Sequence, residues 1–310
     1  MFLPRFFLLA LPPLLLTGLD QPRAVAPGRE PADSTQIIML GTGMPFPDPK
    51  AQGPATAVTV GDRIFLFDAG PGAERQMTAA GLPVRGGPVT ALFLTHLHSD
   101  HTLGLPDLIF TSWVMGRRTP LRIFGPIGTR AMTDHIIAAW AEDIAIRTDA
   151  KERSAPGGYK VDVREISGGL LYDSAGVRVT AIPVLHGAWK YAFGYRIDTP
   201  GKVIVISGDT RPSPALERAA AGADILIHEA YPSVRLKIEL RPGGDTWPDY
   251  MRSFHTSDRE LGAIASRAKP KLLVLYHVVR MGGTDEELLA GVKAGGFSSK
   301  TVVAHDLDRF

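Results

Sequence analysis

The sequence predicts an α/β layered protein, and two patterns support that prediction. Short apolar runs rich in branched residues recur along the chain, bounded by Gly, Pro or Asp, which is typical of buried β-strands. Segments with apolar residues three or four positions apart lie between several of these runs, as expected for helices that cover a sheet. Polar clusters rich in His and Asp follow many of the runs, which favours a functional site at the strand ends.

The predicted strands are short and follow one another with room for turns or helices between them. In chain order they are residues 36–40, 56–60, 63–67, 90–95, 121–124, 177–184, 192–197, 202–207, 224–228, 272–277 and 301–305. The predicted helices carry the helical period. They are residues 73–81, 129–145, 214–222, 257–268 and 285–296. Residues 146–176 have the weakest pattern, which we interpret as a loop with one short hairpin.

The N-terminus has the form of a secretory signal. Arg5 precedes an apolar stretch, interrupted by Pro12 and Pro13, and a small-x-small pattern follows at Ala24–Ala26. The stretch has roughly 14 residues, whereas a membrane span needs about 20. We therefore predict a signal peptide over 1–26, a linker over 27–35 and one folded domain over 36–310, located in the periplasm or secreted. A retained membrane anchor is the alternative; after cleavage we expect no stable membrane span.

Composition excludes several kinds of site. The chain has no Cys, which excludes disulfides, thiolate metal sites and a thiol nucleophile. The formal net charge is only +2, and the densest basic spots are residues 116–118 and 235–241. We interpret both spots as solvated surface, so the sequence disfavours a nucleic-acid partner. It does not reveal the oligomeric state and leaves a homodimer open.

The motif "THLHSDH" over residues 95–101 predicts a two-metal site. His96 and His98 are two positions apart after a predicted strand, so their side chains point the same way and can bind one metal. Asp100 and His101 follow where the chain turns and can face a second metal. Imidazoles packed this closely would repel one another if charged, whereas a divalent cation binds neutral imidazole.

Later strand ends offer the remaining ligands. His186, Asp209 and His277 each end a predicted strand or follow one directly. Each alone has the character of an ordinary polar residue at a strand end. Their order after residues 95–101 favours metal binding, with Ser207 and Gly208 allowing a sharp turn before Asp209.

This series of motifs resembles the metallo-β-lactamase superfamily over essentially the whole chain after residue 26. Residues 40–49 and 67–77 resemble the opening strands of its ribonuclease Z and arylsulfatase-like branch. The resemblance implies a four-layer αββα sandwich, with two mixed β-sheets flanked by helices and two metals between the sheets. It implies that zinc is bound, with manganese or iron also compatible with such donors. One zinc would be held by His96, His98 and His186, the other by Asp100, His101 and His277, with Asp209 bridging both.

Two further motifs are similar to paired ribonuclease Z motifs. They are His228-Glu229-Ala230 and His255-Thr256-Ser257. In that family the Glu orients a His that contacts the scissile phosphate, so Glu229 and His255 are predicted catalytic residues. Asp100, from the two-metal motif, is the third predicted catalytic residue. The alternative for His255 is local, because Ser257 and Glu260 form a capping-box pattern that opens a helix.

One departure from the family pattern bears on the substrate. The arm with which bacterial ribonuclease Z enzymes clamp tRNA would lie between residues 197 and 203, where this chain has only "DTPGK". We therefore expect an exported di-zinc hydrolase that cleaves small phosphate or sulfate esters with a metal-bridging hydroxide. The alternatives are a ribonuclease Z-like endoribonuclease, a lactonase or other carboxylic-ester hydrolase, and a non-catalytic metal-binding domain. Trp189, Tyr191 and Trp247 are hypothesised to line an aromatic substrate pocket.

Overall fold

The computed structural model describes residues 35–149 and 152–310. The first sheet has six strands in sequence order. They are β1 (Thr35–Gly41), β2 (Ala55–Val60), β3 (Arg63–Phe67), β4 (Val89–Phe93), β5 (Leu121–Pro126) and β6 (Val161–Ile166). Strands β1 to β3 pair antiparallel, and β3 to β6 pair parallel. β1 begins at Thr35, the last residue of the predicted linker, and the predicted signal peptide lies outside the described residues.

The second sheet has seven strands, also in sequence order. They are β7 (Gly169–Ser174), β8 (Val177–Pro183), β9 (Phe193–Asp198), β10 (Val203–Ile206), β11 (Ile225–Ala230), β12 (Leu272–Val278) and β13 (Thr301–Val303). Strands β7 to β10 pair antiparallel and β10 to β13 pair parallel. Both sheets are therefore mixed, as predicted.

The helices connect the parallel strands or precede them. They are α1 (Ala73–Ala79), α2 (Ser99–Thr102), α3 (Leu105–Val114), α4 (Thr129–Ala139), α5 (Ala141–Asp149), α6 (Pro214–Ala219), α7 (Trp247–Phe254), α8 (Asp258–Ala268) and α9 (Asp285–Ala294). Within the part of the chain that the structure describes, no helix has the length and apolarity that crossing a membrane requires.

Packing on both faces of each sheet produces four layers. Along β1, Ile37 and Met39 point into a core between the sheets, while Ile38 and Leu40 point into a core beneath the helices of the first sheet. This alternation follows from the two-residue period of a strand. A third core joins the outer face of the second sheet to α6, α8 and α9. The predicted αββα sandwich is thereby confirmed.

The structure differs from the predicted elements in three places. Residues 146–176 hold part of a hairpin and not a whole one: β7 pairs antiparallel with β8, which lies beyond residue 176, whereas β6 pairs with β5 in the other sheet. Gly168 and Gly169, at φ 119° and 84°, turn the chain between them. The helix predicted over 129–145 divides at Trp140 into α4 and α5. Helices α3 and α7 lie outside the predicted elements. Helix α3 is apolar on most sides, whereas α7 does carry the helical period, in Trp247, Tyr250, Met251 and Phe254.

Candidate metal centre and its surroundings

The predicted ligands meet at one edge of the two sheets. His96 and His98 follow β4, and α2 places Asp100 and His101 one turn further along. His186 and Asp209 follow β8 and β10, and His277 lies near the end of β12. Strand ends thus bring together residues that are distant in sequence.

The seven residues form two compact groups. One contains His96, His98, His186 and Asp209, and the other contains Asp100, His101 and His277. Within each group the candidate ligand atoms lie within 4.8 Å of one another. Six of the seven side chains are buried and His98 is partly exposed. The arrangement predicted from residues 95–101 and the later strand ends is therefore present as geometry.

Asp209 lies between the two groups. Its Oδ2 is 3.8 Å from His186 Nε2 and 3.2 Å from His277 Nε2, and its Oδ1 is 3.4 Å from His101 Nε2. One carboxylate thus reaches histidines of both groups, as a bridging ligand must. The turn before it requires Gly208, at φ 58°, since a Cβ there would lie 2.6 Å from the Phe193 carbonyl oxygen.

Backbone carbonyls orient two of the histidines from behind. His186 Nδ1 donates to the Phe254 carbonyl at 2.8 Å, and His277 Nδ1 donates to the Gly43 carbonyl. In each ring Nε2 is then left to face the centre, which is the usual arrangement behind metal-binding imidazoles. His277 is also the extra residue of a β-bulge against β11, with φ 45°, and bulges commonly re-aim a side chain beside a site.

Asp68 was not among the predicted site residues. Its Oδ2 lies 2.8 Å from His101 Nδ1, and its two oxygens accept from the Thr95 backbone N–H and hydroxyl. It sits directly after β3 with φ 62°, a conformation uncommon for residues other than Gly. Its sequence signals are a polar residue after a predicted strand and a place within residues 67–77, which carry the family resemblance; its partner His101 is 33 positions away.

The donor set fits divalent cations. Asp100 Oδ2 and Asp209 Oδ1 are buried without a hydrogen-bond partner among the described residues, and an unpaired buried carboxylate oxygen is costly unless a cation faces it. Burial lowers the pKa of His186 to about 4 and that of His96 well below its ordinary value. Both imidazoles are therefore neutral at pH 7, the form that binds metal.

Glu229 and His255 form a buried pair beside this centre. Glu229 Oε1 lies 3.2 Å from His255 Nδ1 and accepts from the backbone N–H of Thr210 and Thr256. The His255 and His186 rings are 5.3 Å apart. Burial lowers the pKa of His255, but the Glu229 carboxylate outweighs this effect and the pKa is raised. The Ser257–Glu260 capping box is also present, so the two interpretations of this segment are compatible.

The three residues hypothesised to line an aromatic pocket have different neighbours. Trp189 Nε1 lies 2.7 Å from His98 Nε2, so this ring packs on a candidate ligand. Tyr191 packs against the core between the sheets, and Trp247 lies at the start of α7, edge-on to Tyr250. That the three residues line one aromatic pocket stays a hypothesis.

The segment in which the tRNA-clamping arm was sought is a tight turn. β9 and β10 pair with Asp198 opposite Val203, and Thr199 N–H donates to the Lys202 carbonyl at 2.9 Å. The connection therefore leaves no room for an inserted arm, as expected from the sequence.

Comparisons with known proteins give the family. Residues 63–278 match the family described as "Beta-lactamase superfamily domain". The chain is 36% identical over 278 residues to a protein named Ribonuclease Z from Mycobacterium bovis BCG Pasteur, covering 88% of this chain and 97% of the relative. It is 34% identical over 280 residues to the Ribonuclease Z of Mycobacterium marinum, with the same coverage.

Solved structures share the fold at lower identity. The metallo-β-lactamase fold protein YhfI from Bacillus subtilis matches with a TM-score of 0.68 and 19% identity, covering 90% of this chain and 100% of that one. The short form of human tRNase Z matches with a TM-score of 0.66 and 22% identity, covering 89% and 98%. With its fold, its ligand groups and these relatives, the chain belongs to the metallo-β-lactamase superfamily, in the branch that contains ribonuclease Z, and is a metal-dependent hydrolase of ester bonds.

Proposed function

We propose that this protein is a phosphodiesterase that cleaves RNA in the manner of ribonuclease Z. The observation that carries the proposal is the buried pair of Glu229 and His255 beside two metal-ligand groups. A His held by a carboxylate can donate a proton to an oxygen that leaves phosphorus. Relatives named Ribonuclease Z, 34% to 36% identical, support RNA as the substrate. RNA is therefore preferred to the small ester favoured by the sequence alone.

In this proposal His96, His98, His186, Asp100, His101, His277 and Asp209 would hold two zinc ions, with Asp209 placed between the two ligand groups. Divalent ions bound there supply a water of lowered pKa as nucleophile and stabilise negative charge on the phosphoryl oxygens. Zinc is proposed because imidazole and carboxylate are among its usual ligands. Manganese and iron accept similar donors, so metal analysis of the purified protein tests this choice.

The protein's own side chains then have separate tasks. His255 Nδ1 faces Glu229, which leaves Nε2 to donate a proton to the leaving oxygen. The raised pKa of His255 keeps that proton available near neutral pH. Asp100 Oδ2 lies 3.7 Å from both His101 Nε2 and His277 Nε2, and we assign it the orientation of the attacking water in addition to metal binding.

The missing arm does not argue against RNA. The alignment with the Mycobacterium bovis relative runs over 278 residues and uses 88% of this chain, which is 310 residues long. The aligned part of the relative therefore has no room for a long insertion either. A protein named Ribonuclease Z shares this compact outline, so the short turn after β9 does not separate the chain from such enzymes.

A second candidate function is the hydrolysis of a small aryl phosphate or sulfate ester, and one observation favours it. A cleft of about 460 Å³ adjoins Asp100 and is lined largely by apolar residues, among them Met44, Phe46 and Leu103. The lining has no Lys or Arg, so the cleft suits an uncharged flat group better than a second phosphate.

A substrate panel tests both candidates. The zinc-loaded protein is assayed with a 3′-extended tRNA precursor, a single-stranded RNA, an aryl phosphodiester, an aryl sulfate and a lactone, and the kcat/KM values are compared. We expect RNA to have the highest value. The Asp209→Ala variant, purified in the same way, controls for contaminating ribonuclease. A higher kcat/KM for the sulfate or the lactone would overturn the proposal, and a higher value for the aryl phosphodiester would favour the second candidate.

Export is a separate proposal. We propose that residues 1–26 direct the chain to the periplasm or the medium and are removed there, as their composition indicates. Cell fractionation and N-terminal sequencing of the recovered protein test it. A full-length chain recovered from the cytoplasm would contradict it, whatever the substrate panel shows.

A further inference from the structure

The basic spot at residues 235–241 is more than a solvated surface, because its last residue is built into a structured turn. Arg241 N–H donates to the Asp245 carbonyl at 2.8 Å, and Gly244 N–H donates to the Arg241 carbonyl. Leu240 and Thr246 form a β-bridge across this turn. Thr246 then caps α7 through a capping box with Asp249. The backbone at Arg241 is thus tied to the helix that leads to His255.

The Arg241 side chain is held in one place. Its guanidinium carbon lies 3.9 Å from the centre of the Tyr250 ring and 5.1 Å from that of Trp247. Nη1 donates to Asp245 Oδ2 at 2.8 Å. Stacking on an aromatic face leaves the edge of the planar guanidinium open, and Arg has five N–H donors. Among the described residues, Asp245 is the only side chain bonded to that guanidinium.

The Tyr250 ring connects Arg241 to the metal centre. It stacks on Phe254 with ring centres 4.4 Å apart, and Phe254 meets the His186 ring edge-on at 5.0 Å. The Tyr250 and His255 ring centres are 6.1 Å apart. Since Arg241 lies 3.9 Å from the same Tyr250 centre, its guanidinium is within about 10 Å of the His255 ring. One or two nucleotides of an extended strand span that distance.

We infer that Arg241 binds a backbone phosphate of the RNA next to the scissile bond, on the His255 side of the centre. The inference rests on the proposed function. A guanidinium matches a phosphate in shape and charge, and one fixed on an aromatic ring loses little freedom on binding. Its positive charge would add to that of the metal-loaded centre in attracting the incoming strand.

Arg252 provides a matched control. It lies on α7 itself, pairs with Asp249 at 2.9 Å and has 60% of its side chain exposed. It has the same charge and the same kind of carboxylate partner as Arg241. Among the described residues, Arg241 stacks on Trp247 and Tyr250, whereas the Arg252 guanidinium lies over no aromatic ring. If general surface charge alone attracts RNA, replacing either Arg should weaken RNA binding equally. A phosphate contact at Arg241 instead predicts that only the Arg241 substitution weakens binding.

The experiment measures binding and cleavage of a labelled single-stranded RNA by the full zinc-loaded protein. We expect Arg241→Gln to weaken RNA binding about 5- to 20-fold and to reduce the slope of log Kd against log salt by about one. Arg241→Lys should keep that slope, because the charge remains, with affinity between the two. Arg252→Gln should match the unmodified protein in affinity, slope and turnover.

The outcomes separate this inference from the proposed function. Equal salt slopes for Arg241→Gln and the unmodified protein, with folding verified by circular dichroism, would overturn the phosphate contact. So would an equal loss of binding in Arg252→Gln. If the protein binds RNA with the expected slopes but cleaves only the aryl ester, the proposed function fails while the contact stands. An aryl phosphodiester has no second phosphate, so its KM should rise less than that of RNA in Arg241→Gln.

Discussion

His255 lies at the junction of two helices, as the C-cap of α7 and two residues before the N-cap of α8. Its backbone is therefore set by two helix ends, and its ring is set by Glu229. A position fixed from both sides suits a proton donor, because a small displacement from the leaving oxygen lowers the rate steeply.

Replacing His255 tests its assigned role. We expect His255→Ala to keep both metals and to lower kcat on RNA about 100- to 10,000-fold, the range typical of losing a general acid. Metal content by mass spectrometry and single-turnover cleavage are the measurements. Unchanged kcat would mean that the segment serves only to begin α8. Loss of metal along with activity would instead make His255 a part of the metal centre.

The pH profile tests the pairing with Glu229. The carboxylate raises the pKa of His255 above its ordinary value of 6.5, so the protonated donor is lost only when the pH rises through that higher value. Glu229→Gln removes the charge that raises it. We therefore expect the alkaline limb of the kcat profile to move to lower pH in Glu229→Gln. A limb at unchanged pH would show that another group controls it.

Asp68 is the site residue that sequence reasoning passed over, and it has a prediction of its own. It orients His101 from behind at 2.8 Å, and loss of such a partner typically costs about 10- to 100-fold in metal affinity. Asp68→Asn should weaken binding of one of the two metals in a competition titration with a chelator. Two sites of unchanged affinity would contradict this role.

The grouping of the seven candidate ligands could be predicted from the sequence and the contact of Asp68 with His101 could not, for a physical reason. The ligands are His and Asp residues at the ends of apolar runs, and their types in sequence order indicate metal chemistry. Asp68 acts through His101, Thr95 and a fold that brings strands β3 and β4 together. A single carboxylate after a strand has no distinguishing pattern until its partners are in place.

At the scale of elements, the capping box of α8 allows structural and catalytic effects to be separated. Ser257 and Thr284 accept from the N3 backbone N–H of α8 and α9 in the same way, and each box has its reciprocal Glu contact. Either change to Ala should lower the free energy of unfolding by about 1 kcal/mol. Ser257 is buried and lies two residues after His255, whereas Thr284 is exposed.

We therefore expect Ser257→Ala to lower RNA turnover and Thr284→Ala to leave it unchanged at equal loss of stability. Urea unfolding gives the stability and single-turnover assays give the rate. Equal turnover in the two variants would show that α8 does not set the position of His255.

Two elements that the sequence did not predict depart from the usual pattern of their type in different ways. Helix α3 is buried on much of its surface, so it has no single apolar stripe. In β6 the buried residues Val163 and Ile166 are three positions apart, which does not fit the two-residue period of a strand. Sheet membership of β6 and β7 depends on two glycines in left-handed conformations. Their sequence suggests a turn but does not say that the strands on either side join different sheets.

At the scale of the whole molecule, the metal groups connect the two sheets. His96, His98, Asp100 and His101 come from the first sheet's β4–α2 segment, whereas His186, Asp209 and His277 come from the second sheet. The layered fold could be predicted because the apolar residues of its three cores recur along the sequence with the periods of strands and helices. We expect bound metal to add a further connection between the sheets at this edge.

Removing metal should therefore lower the stability of the whole domain, since it leaves buried carboxylate oxygens unpaired across the sheet edge. A ligand at a thousand times its Kd stabilises a fold by about 4 kcal/mol, which corresponds to a rise in Tm of about 10 °C for a domain of this size. Calorimetry with zinc and with a chelator measures the difference. Asp209→Ala should respond to zinc much less, because the carboxylate that reaches histidines of both groups is gone. Equal Tm values for the unmodified protein in both conditions would mean that the hydrophobic cores alone hold the two sheets together and that bound metal adds no stability.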